Sequence, residues 1–270
     1  MKTLFKKMMS IMLAAVMFTG FAFTTYAEPT QEELLQQYYE ALAKQQNNGK
    51  KSKSTAAGFK GFAENFVGAP ITTGNTCLDM VARDFINAYT TPGMNNYQKL
   101  VACYDVMAEQ GVRDYYARDY YGYYINSLPG FWSSGNTSQD VTDAVGFLLT
   151  GQGDCYNFSG AYMAVARQLG FNAYCVRGVC SCSKQKNPTG YTNHEWCVIN
   201  TGTAEYVFDP NIECSICKGK KNSHARFAKT YSQLPGKYKQ YTYDTMVRNF
   251  GDPSRNPFLH YAQTTCELYF

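Results

Sequence analysis

The sequence predicts an α+β fold. Segments with apolar residues at helical spacing fill the first half of the chain. Alternating apolar and polar residues follow between 171 and 209, broken by a Thr201-Gly202-Thr203-Ala204 turn. Helices first and antiparallel strands afterwards is the order of α+β proteins rather than of repeated βαβ units. With 45 % apolar residues in 270, the chain can build a core. Its length suits one domain of about 200 residues behind a leader.

The leader comes first. Lys2, Lys6 and Lys7 form a basic front, residues 8–23 carry no charge, and Thr25 and Ala27 place small residues just before Glu28. This is the pattern of an export signal over residues 1–27, and it sets the expected location outside the cell or at the cell wall. The uncharged run is shorter than the roughly 20 residues that span a bilayer, so no stable membrane anchor is expected. Three of the 25 basic residues and none of the 21 acidic ones lie in the leader, so the formal charge of +4 falls to about +1 once it is removed. The basic balance belongs to export, and nucleic acid is not an expected partner.

Residues 28–46 carry Leu34, Leu35, Tyr38, Tyr39 and Leu42 at helical spacing, and residues 47–55 contain no apolar side chain. Residues 28–58 are therefore expected to be a helix and polar linker, with the main domain at 59–270. Residues 78–89 and 97–110 show helical periodicity, and Gly111 closes the second segment. Residues 113–125 hold Tyr115, Tyr116, Tyr120, Tyr121, Tyr123 and Tyr124. On a helix these rings give a core face and a half-exposed face, or a platform on which a sugar or peptide stacks. The next helix is expected at 137–150, capped by Thr137 or Ser138, with Asp140 and Asp143 in its first turns and Gly151 as its stop. Another is expected at 155–169, ended by Gly170. Strands follow at 171–178, 194–200 and 205–209.

The chemistry concentrates at Gly151-Gln152-Gly153-Asp154-Cys155. A thiol at the first turn of a helix meets free amides and the positive end of the dipole, which stabilise a thiolate. Asp154 can cap that helix, the amides could hold an oxyanion, and the Gln152 amide is a further candidate donor. His194 opens one strand and Asp209 ends its hairpin partner, so antiparallel pairing can bring imidazole and carboxylate together. Cys155, His194 and Asp209 thus form a candidate nucleophile, base and orienter. Of the three His, His224 and His260 lack an adjacent motif. Trp196 is expected to pack beneath the site, with substrate contact as the lesser alternative.

On these residues the sequence resembles the transglutaminase-like superfamily, the papain-related group with Cys, His and Asp in that chain order. The resemblance spans about residues 141–212 and rests on GQGDCYNFSGAYMAVARQLGFNAYCVRG, NHEWCVI and EYVFDP. It implies the catalytic roles of Cys155, His194 and Asp209, and a papain-like core in which a Cys-led helix packs on an antiparallel sheet. It also places the connection at 174–194 near the cleft. It calls for no cofactor, and it implies a protein or peptide substrate, one at the cell surface included. The implied reaction cleaves amide or peptide bonds through an acyl-thioester, with hydrolysis favoured. A protein-crosslinking transglutaminase and a non-catalytic cell-wall or glycan-binding protein are the alternatives.

All ten Cys follow the leader. Cys180-x-Cys182 and Cys214-x-x-Cys217 flank the hairpin in sequence. They form disulfides that tie the connection to the segment after Asp209, or their four thiolates bind one Zn²⁺, or they stay in free or mixed states, with disulfides favoured. With Cys155 as nucleophile nine remain, an odd number that cannot all pair within the chain.

Overall fold

The structure, a computed structural model, describes residues 56–181, 190–250 and 259–260. The expected export signal, the helix at 28–46 and the linker at 47–55 lie outside these residues. Helix α1 (Ala56–Asn65) buries Phe59 and Ala63, whose neighbours include the rings of Phe171, Tyr206 and Phe208 around Phe59. Helix α2 (Thr76–Tyr89) starts at Asn75, whose side chain accepts from the Leu78 amide at 2.9 Å. Helix α3 (Asn96–Gln110) starts with a reciprocal box between Asn95 and Gln98 and ends at Gly111. Both caps satisfy amides that a helix start leaves open.

Strand β1 (Val112–Arg113) precedes helix α4 (Arg118–Asn126). The helix is shorter than the tyrosine run that suggests it: Tyr115 and Tyr116 lie before it and are exposed. Tyr121 is buried and Tyr123 exposed, so the rings divide between a core face and a solvent face. Helix α5 (Gln139–Thr150) packs its glycine Gly146 on Tyr121, where an added Cβ would lie 2.6 Å from the ring. The expected Ser138 cap is not made by its hydroxyl, which has no hydrogen-bond partner. The Asn136 side chain instead accepts from the Ser138 amide at 2.9 Å. Gly151, in the left-handed conformation at φ 69°, closes α5.

Strand β2 (Gln152–Gly153) runs parallel to β1 and leads into helix α6 (Cys155–Gln168). The main sheet contains β3 (Ala173–Cys180), β4 (Thr192–Asn200), β5 (Glu205–Phe208) and β6 (Tyr238–Gln240), in the order β5-β4-β3-β6. A short β7 (Leu259–His260) lies parallel beside β3 at Cys175 and Val176. β3 and β4 are antiparallel from Ala173 opposite Ile199 to Cys180 opposite Thr192. They run two residues beyond the predicted ends because that pairing continues and β6 adds to β3 at Gly178 to Cys180. The fold class is α+β, as the sequence predicts.

One face of the sheet meets the helices, where the Ser159 hydroxyl of α6 donates to the Glu195 carbonyl at 2.8 Å. The other face buries Tyr174, Val176, Trp196, Val198 and Val207 beneath Ile212, Tyr231, Leu234 and Tyr238. Burial on both faces explains why the alternation gives way to consecutive apolar residues at Trp196 to Ile199. Helices α7 (Pro210–Cys217) and α8 (Tyr243–Phe250) are absent from the sequence prediction. The first had a signal in Asp209-Pro210, an N-cap followed by proline at the first helical position.

Candidate active site

Cys155 is the first residue of α6 and is half-buried. Its turn is fastened on all sides. The Asp154 side chain accepts from the Tyr156 amide at 2.9 Å, and the Asn157 side chain returns to the Asp154 amide at 2.8 Å. Asn157 also donates to the Asp143 carbonyl of α5 at 3.1 Å. An added Cβ on Gly153 would lie 2.4 Å from Asn157, so only glycine fits there. From the other side the Asp114 amide donates to the Gly153 carbonyl at 2.9 Å, and the Tyr121 hydroxyl to the Gln152 carbonyl. Asp154 therefore caps the helix. The Gln152 side chain is exposed and makes no hydrogen bond among the described residues, which leaves its amide available as a donor.

His194 is buried on β4, and its Nε2 lies 2.7 Å from Asp209 Oδ2. Cys155 lies close enough to the same imidazole to help raise its pKa, and with Nε2 on Asp209 it is Nδ1 that is left for the thiol. Asp209 is fully buried at the end of β5 and caps α7, its Oδ1 accepting from the Ile212 amide at 2.9 Å. Its Oδ2 also accepts from the Tyr238 hydroxyl at 2.7 Å. One carboxylate thus holds the imidazole, starts a helix and binds the next strand.

The electrostatics follow from that packing. Burial alone would lower the pKa of His194, but the Asp209 charge and hydrogen bond, with the Cys155 side chain, hold it well above its ordinary value. Burial alone would raise the pKa of Asp209, but the imidazolium, the Ile212 amide and the Tyr238 hydroxyl hold it below. Both shifts favour the charged pair.

Trp196 is fully buried beneath His194, with ring centroids 6.2 Å apart and planes within 20°. Its Nε1 donates to the Tyr231 hydroxyl at 3.0 Å, which also accepts from the Gln240 side chain at 2.7 Å. Substrate contact by Trp196, the lesser expectation, is excluded by this burial.

A second buried network lies behind the site. Arg177 faces Glu195 across β3 and β4, and its Nε donates to Glu195 Oε2 at 2.7 Å. The same guanidinium binds Asp140 of α5 and lies 5.0 Å from the ring centre of Tyr156. It therefore bridges the residue after Cys155 and the residue after His194. Burial pushes the Glu195 carboxyl up to about 8, with Arg177 opposing and Asp140 adding to the rise. Its Oε1 has no hydrogen-bond partner.

The other His stand elsewhere. His224 Nε2 lies 2.6 Å from Asp105 Oδ1, both partly exposed. His260 stacks on Tyr174 with ring centroids 3.7 Å apart, and burial followed by Arg167 lowers its pKa.

The expected Cys pairs are corrected in part. Cys214 and Cys217 are free thiols that donate to the carbonyls of Gly111 at 3.3 Å and Ala108 at 3.0 Å, so neither joins Cys180 or Cys182 in a disulfide. Among the described residues no group of three or more His, Cys, Asp or Glu could hold a metal ion. Cys180 is buried in the sheet, and Cys182 lies outside the described residues.

Tyr238, Arg177 and Asp140 are the partners that sequence reasoning missed. Tyr238 reaches Asp209 from 29 positions downstream, with no local motif to mark it.

Thiol, imidazole and carboxylate thus meet in that chain order where a helix start meets an antiparallel sheet. Residues 83–207 match the family described as the transglutaminase-like superfamily, and this part of the chain belongs to it. The match includes Cys155 and His194 and ends just before Asp209. No curated protein matches the chain. Among solved structures, one similar chain is a Cytophaga hutchinsonii protein described as a candidate cysteine protease, at 15 % identity and a TM-score of 0.33, covering 52 % of this chain and 39 % of that one. Another is a TGase, at 17 % identity and a TM-score of 0.31, covering 64 % of this chain and 37 % of that one. The chain spans less than two-fifths of either.

Proposed function

We propose that the protein is a secreted cysteine enzyme that cleaves amide or peptide bonds in a protein or peptide substrate, cell-surface proteins included. The observation that carries this reading is the Cys155 thiol beside an imidazole whose Nε2 is held 2.7 Å from buried Asp209. Cys155 passes its proton to His194 Nδ1, and the thiolate of the resulting thiolate–imidazolium pair attacks the carbonyl carbon. The C–N bond then breaks, and His194 returns that proton to the leaving amine. Asp209 keeps the proton on Nε2 and stabilises the imidazolium. The oxyanion faces the Cys155 backbone amide at the start of α6, with the Gln152 amide as a further donor.

The acyl-thioester is resolved by whichever nucleophile reaches it. Cys155 is half-buried rather than sealed, so water has access, and hydrolysis is favoured over transfer to a lysine amine. Two measurements test the reading. Iodoacetamide at mildly acidic pH should alkylate Cys155 ahead of the buried thiols, with loss of activity; equal labelling of all thiols sinks the activated nucleophile. Incubation with a Gln-containing protein and a labelled primary amine should give cleavage or deamidation. Amine incorporation as the main product would replace hydrolysis with crosslinking.

A further inference from the structure

We propose that Cys175 and Cys197 are an oxidation site at which the chain forms a cross-strand disulfide between β3 and β4. The two residues face each other directly in the antiparallel register. The Asn200 amide donates to the opposed Asn172 carbonyl at 3.0 Å, which sets the phase of the ladder. Hydrogen-bonded pairs then fall on the even-numbered residues of β3, and Cys175 with Cys197 is a non-hydrogen-bonded pair. Opposed residues of that kind have Cα atoms about 4.5 Å apart, with side chains at their closest. A disulfide needs Cα atoms about 4.4–6.8 Å apart, so the strands need not move far to admit one.

Both side chains point to the helix-packed face, the face that Arg177 and Glu195 share, and opposite to that of Trp196 and Val198. Cys175 is 1 % exposed and Cys197 fully buried, and both are free thiols in the structure. Burial, with the neighbouring Glu195 carboxyl next, raises both thiols well above their ordinary pKa. Neither is a ready thiolate once α6 covers the strand, so the bond forms while the chain folds. The oxidant is a small-molecule or protein disulfide. One thiolate attacks it and releases a thiol; the second then attacks the mixed disulfide and releases the other. Two S–H bonds are lost, one S–S bond forms, and the donor disulfide is reduced to two thiols.

The consequence reaches the site without touching it. The bond would pin β4 three residues from His194 and close the chain around the connection at 182–189. It also differs from the pairing that spacing suggests, since the sheet register sets Cys175 opposite Cys197 while Cys214 and Cys217 lie on α7.

The test uses the full chain, refolded with oxidised and reduced glutathione, blocked with N-ethylmaleimide in denaturant and digested with trypsin without reduction. The expected result is the peptide ending at Arg177 joined to the peptide that contains Cys197. The link should persist in Cys214→Ala/Cys217→Ala and vanish in Cys197→Ala. Maleimide on both Cys175 and Cys197, or Cys175 joined to another cysteine, would overturn the proposal. The wild-type map decides even if a variant does not fold, and it is independent of any catalytic assay.

Discussion

Two His–Asp pairs sit in this molecule at nearly the same distance, 2.7 Å for His194–Asp209 and 2.6 Å for His224–Asp105. Distance does not distinguish them; surroundings do. His194 and Asp209 are 6 % and 0 % exposed, and Cys155 shares the imidazole. His224 and Asp105 are 38 % and 32 % exposed, and their neighbours are Asn222, which donates to Asp105 at 2.7 Å, and aromatic rings. A buried pair beside a thiol can move a proton to a reacting group. An exposed pair without one fastens a loop. The sharpest test is therefore His194→Ala against His224→Ala in the same amide-cleavage assay. The first should lower kcat/KM about 10²- to 10⁴-fold, as expected for loss of a general base. The second should stay within about twofold, a surface change remote from the thiol. Equal losses would erase the distinction.

Tyr238→Phe probes the same contrast with a smaller step. Asp209 accepts from His194, from the Ile212 amide and from the Tyr238 hydroxyl. Losing one hydrogen bond to a charged group, worth about 1.5 kcal/mol, should cost roughly tenfold in kcat. The hydroxyl helps to depress the Asp209 pKa, so its removal should raise it. Activity is lost as pH falls through that pKa, and the acidic limb of the pH profile should therefore move to higher pH. The corresponding change at the other pair, Asn222→Ala, should leave the profile in place. An acidic limb that does not move in Tyr238→Phe would mean that the hydroxyl only packs.

How much of this was legible differs residue by residue. Cys155 and Asp209 each sit at a boundary that composition marks, a Gly-rich turn before a helix and the end of a hairpin strand, and His194 lies two residues inside the start of the partner strand. Local signals of that kind survive in sequence. Tyr238 and Arg177 reach the site through strand register and sheet order, which no short motif encodes. The same holds for Cys175 opposite Cys197: spacing drew attention to CxC and CxxC, while pairing across the sheet put two other cysteines together. The missed cap at Ser138 has no such cause: its hydroxyl makes no hydrogen bond, and Asn136 accepts from the Ser138 amide, before the first turn of α5. Gly153 and Gly178 follow the same division. The first reads as a turn glycine, whereas the second is required only because β6 passes so close that an added Cβ would meet the Lys239 carbonyl at 2.0 Å.

The smallest expected effect concerns stability, and it separates the two pairs by size. His224 has a raised pKa, first through its hydrogen bond to Asp105 and against the opposing effect of burial. A base with a raised folded pKa stabilises fully below its unfolded value, about 6.5, and loses that contribution as pH rises through the folded value. His224→Gln should therefore lower the melting temperature slightly near pH 6, by about 1–2 °C after allowance for solvent screening at so exposed a pair. The difference from wild type should fade as pH rises above the His224 pKa. At the buried pair both members contribute. The Asp209 part is present above about 3.8 and is lost as pH falls through its depressed pKa; the His194 part is present below about 6.5 and persists until its raised pKa is passed. Thermal melts from about pH 2 to 9 check both. A His224→Gln deficit that grew with pH would reverse the sign assigned here, and one as large as that of His194→Gln would return the two pairs to equal standing.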